Sequence, residues 1–362
     1  MSTLLQQKCP CCGGAVEFNV GSQNLKCPYC DTEFDIDAIN KTADIPGTDE
    51  EKINWKSDNA QWEQGETDNM VVYTCNSCGG EIITDATTGA TTCPYCGNPT
   101  VMTGHFSGEL KPDIVIPFKL DKKAAKEMYL KFIKSKKLLP KVFKDENHID
   151  EIKGIYVPHW LFSGTAYADA NFEGKKVRHW SDSNYNYTET KHFAIHRQGS
   201  IDFNNVPVDG ASKMDDALME SIEPFHVDDY GVAFNPSYLA GYYADKYDVD
   251  LQASIPRANE RIKNSALEGL RSTIDGGYTT VTKQGSRVNV ESGSYKYALY
   301  PVWILNTTWN DKKFIFAMNG QTGKFVGDLP LDRKAFAKWT AILGAGLSAL
   351  TFAGAWAFFT FM

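Results

Sequence analysis

Cysteine disappears from the sequence after Cys96: all nine fall in the first 96 of 362 residues, and the remaining 266 have none. A disulfide framework running through the chain is thereby excluded, and sulfur chemistry is confined to one end. Arginine is missing through residue 100, where five lysines face fifteen acidic residues for a net of −10; the whole chain, with 37 basic and 45 acidic residues, carries −8. That balance does not suit neutralising a phosphate backbone. Met1 to Lys8 lacks the basic start and apolar core of a secretory signal, so the thiols are expected in a reducing compartment. Also missing are G-x-S-x-G, the P-loop, H-E-x-x-H and the dinucleotide fingerprint. The seven histidines are scattered, and the closest pair, His192 and His196, sits in a strand-like stretch without metal-ligand spacing. Paired acids such as Asp228 and Asp229 need only solvent. The expectation is a protein that is not an enzyme. At 42% hydrophobic and 23% charged, the chain is also not a mainly disordered one.

The cysteines that are present repeat. Cys9, Cys12, Cys27 and Cys30 form C-x2-C, fourteen residues, C-x2-C, and Cys75, Cys78, Cys93 and Cys96 form the same pattern. A shift of 66 residues also superposes Gly13, Gly14, Pro28 and Tyr29 on Gly79, Gly80, Pro94 and Tyr95. Each C-x2-C aims two thiolates at one ion from a tight turn, and two facing turns complete a tetrahedral sulfur shell. The glycines supply the positive φ at which such a turn closes. Glu17 to Val20 and Glu81 to Thr84 are expected to pair as hairpins, giving two zinc ribbons too small to fold without metal. Four thiolates leave no open coordination position, so both sites read as structural. Zn2+, two per chain, is the expected ion, with rubredoxin-like iron as its chemical competitor. Cys11 is surplus, since the second repeat has Ser77 there, and Asp31 stands where the second repeat has Gly97. Two Zn(Cys)4 centres add to the acidic charge, so the ribbons read as protein-contact modules and nucleic acid is not expected as a partner.

At the other end, Trp339 to Met362 is a run of 24 residues without charge or proline. As a helix it measures about 36 Å against a hydrocarbon core of roughly 30 Å. Its polar residues, Thr340, Ser348, Thr351 and Thr360, are too few for the polar stripe of a buried soluble helix. Arg333, Lys334 and Lys338 precede the run and no basic residue follows it, which places the bulk of the chain in the cytoplasm on a single-pass tail anchor in the cell membrane. Ala341, Ala345, Ala349, Ala353 and Ala357 form a small-residue ridge that suits either helix pairing, and so an oligomer, or a lipid-facing surface.

The expected order is a multidomain chain: zinc ribbon one over 1–39, an acidic linker over 40–69, zinc ribbon two over 70–102, an α+β body with long antiparallel strands over 103–332, and a basic flank with the transmembrane helix over 333–362. In the linker, Trp55 and Trp62 are spaced to share a face of a short helix docked on a ribbon, or to stay exposed. In the body, Ile114 to Phe118 reads as a short strand that Pro117 confines to a sheet edge. Asp121 then caps a helix whose Ala125, Met128, Tyr129, Phe132 and Ile133 keep helical spacing. Between Lys119 and Lys144, ten lysines stand against Asp121 and Glu127, net +8. This region reads as a solvated face or as a contact for anionic lipid headgroups or an acidic partner. Strand-like runs are Gly154 to Phe172, Tyr187 to Phe203, Tyr278 to Val290 and Tyr295 to Gly327, with a hairpin near Asn319-Gly320. Tyr156-x-Pro158-x-Trp160 is echoed by Tyr300-Pro301-x-Trp303, and a helix expected over Pro256 to Ile274 would match the lysine-rich one, which suggests an internal duplication of the body.

This order of features resembles a bacterial family of tandem zinc-ribbon membrane proteins, with Cys-Pro-Tyr-Cys knuckles, a β-rich body and a C-terminal membrane segment. Asp113 to Leu120, Ile155 to Trp160, Glu223-Pro224-Phe225, Phe234 to Asp245 and Asn319 to Gly327 are similar to its recurring stretches, and the likeness runs over nearly the whole chain. Members carry a transcription factor IIB-type zinc-ribbon label, which borrows only the ribbon. Some sit in genomes beside a flotillin-like SPFH protein, a TPM-domain protein and a phage-shock protein A homologue. The resemblance therefore implies a membrane assembly that recruits a stress effector, with ligands at the eight repeated cysteines, a membrane anchor and no catalytic residues. The expected function is a membrane-anchored cytoplasmic scaffold. The alternative is a membrane-tethered regulator binding nucleic acid or the transcription machinery, against which the acidic ribbons speak. Lipid or peptide handling in the body would require an apolar pocket.

Overall fold

Runs of β-branched and aromatic residues fold as strands, and the amphipathic stretches as helices, in the computed structural model, which describes residues 9, 12–35, 53–56, 60–90, 92–105, 110–134, 136, 138–140, 143, 151–310, 312–327 and 329–361. Met1 to Lys8, Cys11, linker residues 40–52 and 57–59, Lys137, Lys141, Lys144 and His148 lie outside the described residues. The chain begins with β1 (Glu17–Asn19), β2 (Asn24–Lys26), β3 (Glu33–Phe34), β4 (Ile53–Lys56), β5 (Met70–Cys75), β6 (Glu81–Asp85), β7 (Thr100–His105) and β8 (Ile114–Val115). Helix α1 (Lys122–Lys134) leads to the long strands β9 (Lys153–Ser181) and β10 (Asn186–Asp209), then α2 (Asp216–Ile222), α3 (Val227–Tyr230), β11 (Val232–Ala233) and β12 (Tyr243–Asp245). Helix α4 (Leu251–Ser272), β13 (Thr280–Trp309), β14 (Lys312–Asn319), β15 (Phe325–Gly327) and α5 (Arg333–Phe361) complete it. The described chain is thus rich in sheet, with five α-helices.

The chain forms two units, the first from 1–57, 161–208 and 255–295, the second from 58–160, 209–254 and 296–362. In the first, β2 lies between β1 and β3, at Glu17↔Lys26 and Lys26↔Glu33. β9 and β10 make a hairpin closed where the Asp182 N–H donates to Tyr185 O at 2.9 Å. β4 adds parallel to β13 at Val290↔Ile53 and Gly293↔Trp55. Trp55 is therefore on a strand and not on the expected helix: its ring meets Phe162 edge-on at 4.9 Å, and its Nε1 donates to Asn259 Oδ1 at 3.1 Å. These partners lie far along the chain and override the helical spacing of the two tryptophans. The break expected between Val290 and Tyr295 is instead a bulge, because Ser292 at φ 52° and the register shift between Val290 and Gly293 absorb the turn-forming residues within one strand.

In the second unit, β5 lies between β6 and β7, and β6 pairs with β12 on its other edge at Ala244↔Ile83. β8 is antiparallel to β11 and parallel to β13, so it is no edge strand. It ends at Val115, before Pro117, and the missing N–H falls outside the ladder. β12 runs parallel to β9 at Tyr243↔Ile155. Asp121 caps α1, its Oδ1 accepting the Ala124 N–H at 2.8 Å, and the helix buries Ala125, Tyr129 and Ile133 in one cluster with Trp303, Leu305, Phe316 and Met318. The hairpin expected near Asn319 is β14–β15, closed by the Asn319 N–H on Lys324 O at 2.9 Å.

α4 starts at Leu251, earlier than the expected Pro256, because Asp250 Oδ1 caps it through the Ala253 N–H at 2.8 Å; Ile262, Ala266, Leu267 and Leu270 are buried, as their spacing requires. α5 is, among the described residues, the one helix long and apolar enough to cross a membrane. Its stretch Arg333–Trp356 has a mean hydropathy of 1.3 and none of it is buried.

Candidate metal centres

Backbone hydrogen bonds build both cages the same way. The Cys9 N–H donates to Gly14 O at 2.6 Å and the Gly13 N–H to Cys9 O at 2.8 Å; 66 residues on, the Cys75 N–H donates to Gly80 O at 2.9 Å and the Gly79 N–H to Cys75 O at 2.8 Å. Gly13 and Gly79 stand at φ 75° and 71°, where a Cβ would strain the closing turn. The second knuckles repeat likewise. Cys27 and Cys93 N–H groups donate to Thr32 O and Asn98 O at 2.9 and 2.8 Å, and Asp31 and Gly97 N–H groups donate back to Cys27 O and Cys93 O at 2.9 and 3.0 Å. Asp31 takes φ 57° where Gly97 has 73°, so the departure from the repeat leaves the knuckle intact. Aspartate is among the few L-residues that visit this region readily.

These turns bring the eight predicted cysteines into two groups of four, Cys9, Cys12, Cys27 and Cys30, and Cys75, Cys78, Cys93 and Cys96, within each of which all Sγ atoms lie within 4.8 Å of one another. The Sγ–Sγ edges are 3.6 Å for Cys9–Cys30, 3.5 Å for Cys12–Cys27, 3.4 Å for Cys75–Cys96 and 3.7 Å for Cys78–Cys93. A tetrahedron with Zn–S near 2.3 Å has edges of about 3.8 Å, so donor set and spacing fit one such ion in each group. The Thr32 hydroxyl, 3.1 Å from Cys30 Sγ, lowers that thiol to about 6. Burial opposes the Cys75 thiolate, but the Cys78 and Ser77 N–H groups outweigh it and hold the thiol at about 7. Burial pushes the Cys93 thiol strongly up.

The sequence is 32% identical over 345 residues to the uncharacterized protein YdjG of Bacillus subtilis (strain 168), a match covering 95% of each chain. The chain belongs to the YdjG family. No protein-family model and no solved structure matches it.

In this YdjG-family protein two contributors to the cages escaped sequence reasoning. Asn98 Nδ2 donates to Cys96 Sγ at 3.5 Å and to Ser77 Oγ at 2.7 Å, and Thr32 holds the same repeat position in the first cage. Such outer donors orient metal ligands. Their signal in the sequence is a polar residue two places after the last cysteine of each repeat. His192 and His196, by contrast, are bound across the β9–β10 hairpin to Glu173 at 2.6 Å and Asp169 at 2.7 Å, and among the described residues only the two cysteine groups gather metal ligands.

The two cages of the YdjG-family chain differ in their surroundings. Cys75, Cys93 and Tyr95 are buried in one core with Ile155, Val157, Val302 and Ile304. Lys153 Nζ donates to Thr92 O at 2.8 Å, and Asn306 Nδ2 donates to Pro94 O, so the knuckle is held by the body's own strands. The first cage has a cluster of Cys9, Cys27 and Phe34 with Val16 and Leu25. Tyr29, which superposes on Tyr95, is 76% exposed where Tyr95 is 5%, and Phe18 and Val20 are 51% and 75% exposed.

Proposed function

We propose that the protein is a non-enzymatic scaffold anchored in the membrane and facing the cytoplasm, with Zn2+ in both cages and its first ribbon as the docking knob for protein partners. The contrast between the two knuckles carries this reading. The same Cys-Pro-Tyr-Cys tyrosine is sunk into the body in one repeat and held out to solvent in the other. Exposed aromatic and apolar side chains carried on one metal-clamped ribbon have the composition of an interface hot spot. A closed sulfur shell offers a substrate no coordination position. By the family resemblance, the partners are flotillin-like SPFH, TPM-domain and phage-shock protein A-like proteins. The unburied apolar surface of α5 supports its reading as the anchor, and Arg333, Lys334 and Lys338 before the uncharged run support a cytoplasmic body. The lysine-rich region around α1 would meet anionic headgroups. An internal duplication of the body is supported by two matching crossings: β8 adds parallel to β13, β12 adds parallel to β9, and each short strand precedes a helix.

Cross-linked capture of the full-length chain from native membranes is expected to enrich such membrane-stress proteins. Tyr29→Ser combined with Phe18→Ser should reduce that recovery about tenfold or more, with zinc content unchanged. Equal recovery by both forms, or salt-sensitive retention of DNA or RNA by the wild type, contradicts the reading.

A further inference from the structure

We infer, resting on α5 as the membrane span proposed above, that the base of α5 is a binding site for one anionic phospholipid of the surrounding bilayer. Two cavities adjoin there. One, of about 590 Å³, is lined by Leu138, Leu139, Leu329, Leu331, Trp339 and Leu343 with a single cation, Lys136, and its volume is that of a small-molecule site. The other, of about 1000 Å³, carries Lys312, Arg333 and Lys334, and Pro330 and Leu331 line both. An apolar slot joined to a cationic one fits an amphiphile with a negative head. Inorganic phosphate would leave the leucines facing water, and a zwitterionic lipid would leave the excess cationic charge unmatched.

The bilayer is the source. Trp339 and Leu343 belong to the uncharged run, so the apolar cavity opens where α5 enters the hydrocarbon, with Trp339 at the headgroup level that tryptophan favours. The Asp332 N–H donates to Leu138 O at 2.9 Å and ties the start of α5 to the leucine-bearing segment. Asp332 is the one carboxylate lining the polar cavity among the described residues. Its Oδ1 caps α5, accepting N–H groups of Lys334 at 2.9 Å and Ala335 at 3.1 Å, so its charge is spent on the helix start. Three cations against that single engaged carboxylate leave the cavity positive.

Native mass spectrometry of the full-length chain in mild detergent, with equal phosphatidylglycerol and phosphatidylcholine, tests the site. One phosphatidylglycerol adduct is expected to predominate. Arg333→Gln with Lys334→Gln should lower its fraction at limiting lipid roughly tenfold or more, each near-surface basic residue being worth about fivefold toward an anionic lipid. Leu331→Glu, at a position 49% exposed that lines both cavities, should lower it as well. Lys338→Gln, a near-surface cation outside both linings, should lower it by no more than about fivefold, short of the double variant. Equal uptake of the two lipids, an undiminished adduct in the double variant, or an equal loss in Lys338→Gln overturns the site. A wild-type chain that stays in solution without detergent overturns the span reading itself, whereas a detergent-dependent chain lacking the selective adduct overturns the lipid site alone.

Discussion

Cys93→Ser is expected to leave one zinc per chain and to lower the midpoint of the main unfolding transition by roughly 6–20 °C, whereas Cys27→Ser also leaves one zinc but moves that midpoint by less than about 2 °C. Both substitutions remove a buried thiolate from a closed shell, and both should cost the affected site its ion. They differ in what the ion supports. Cys93 is 1% exposed within the cluster that includes Ile155, Val157, Val302 and Ile304, so losing the second ion loosens the knuckle that closes this core. Opening a core in this way costs on the order of 3–5 kcal/mol, and each kcal/mol shifts a midpoint by about 2–4 °C in a unit of this size. Cys27 shares its cluster with Cys9, Phe34, Val16 and Leu25, all ribbon residues. Differential scanning calorimetry with metal analysis on both variants checks this. Equal shifts in the two would contradict the asymmetry on which the docking role of the first ribbon depends.

Removal of residues 339–362 is expected to move the protein almost entirely from the membrane pellet to the soluble fraction. The deleted run is uncharged, and the described part of it lies unburied, so no core residue loses its packing partner wholesale. What stays behind is basic: Arg333, Lys334, Lys338 and the lysines of α1. Those retain an attraction for anionic headgroups of about 1 kcal/mol each near the surface, and it is screened by salt. Fractionation of the truncated chain at low and high salt separates the two contributions. Residual pelleting should vanish in high salt; pelleting that survives a salt wash would mean that something other than α5 holds the protein to the membrane.

What was legible in the sequence was what is local. C-x2-C spacing determines which sulfurs face one ion because a tight turn involves only its own residues, and the eight cysteines duly gather in two groups. The Asp121 cap and the buried face of α1 follow from one helix's periodicity. Tyr29 and Tyr95 mark the limit: they occupy identical motif positions, yet the strands that cover Tyr95 come from residues 155–157 and 302–304, which the knuckle cannot encode. Trp55 departs from its helical spacing for the same reason, since its partners Asn259 and Phe162 are remote in sequence. The edge position that Pro117 implies for Ile114 to Phe118 does not hold, because β8 stops at Val115, short of the proline, and pairs on both sides. Thr32 and Asn98 show the converse case, a local signal present in both repeats that is recognised only once their contacts to sulfur are seen.

Metal analysis of the intact chain, purified without added metal and checked for its folded state, bears most directly on the central claim that caged ions shape both ribbons. Two zinc ions per chain are predicted, released together with the ribbon structure by a strong chelator. A folded chain that holds no zinc, or that keeps both ribbons after complete chelation, would contradict it.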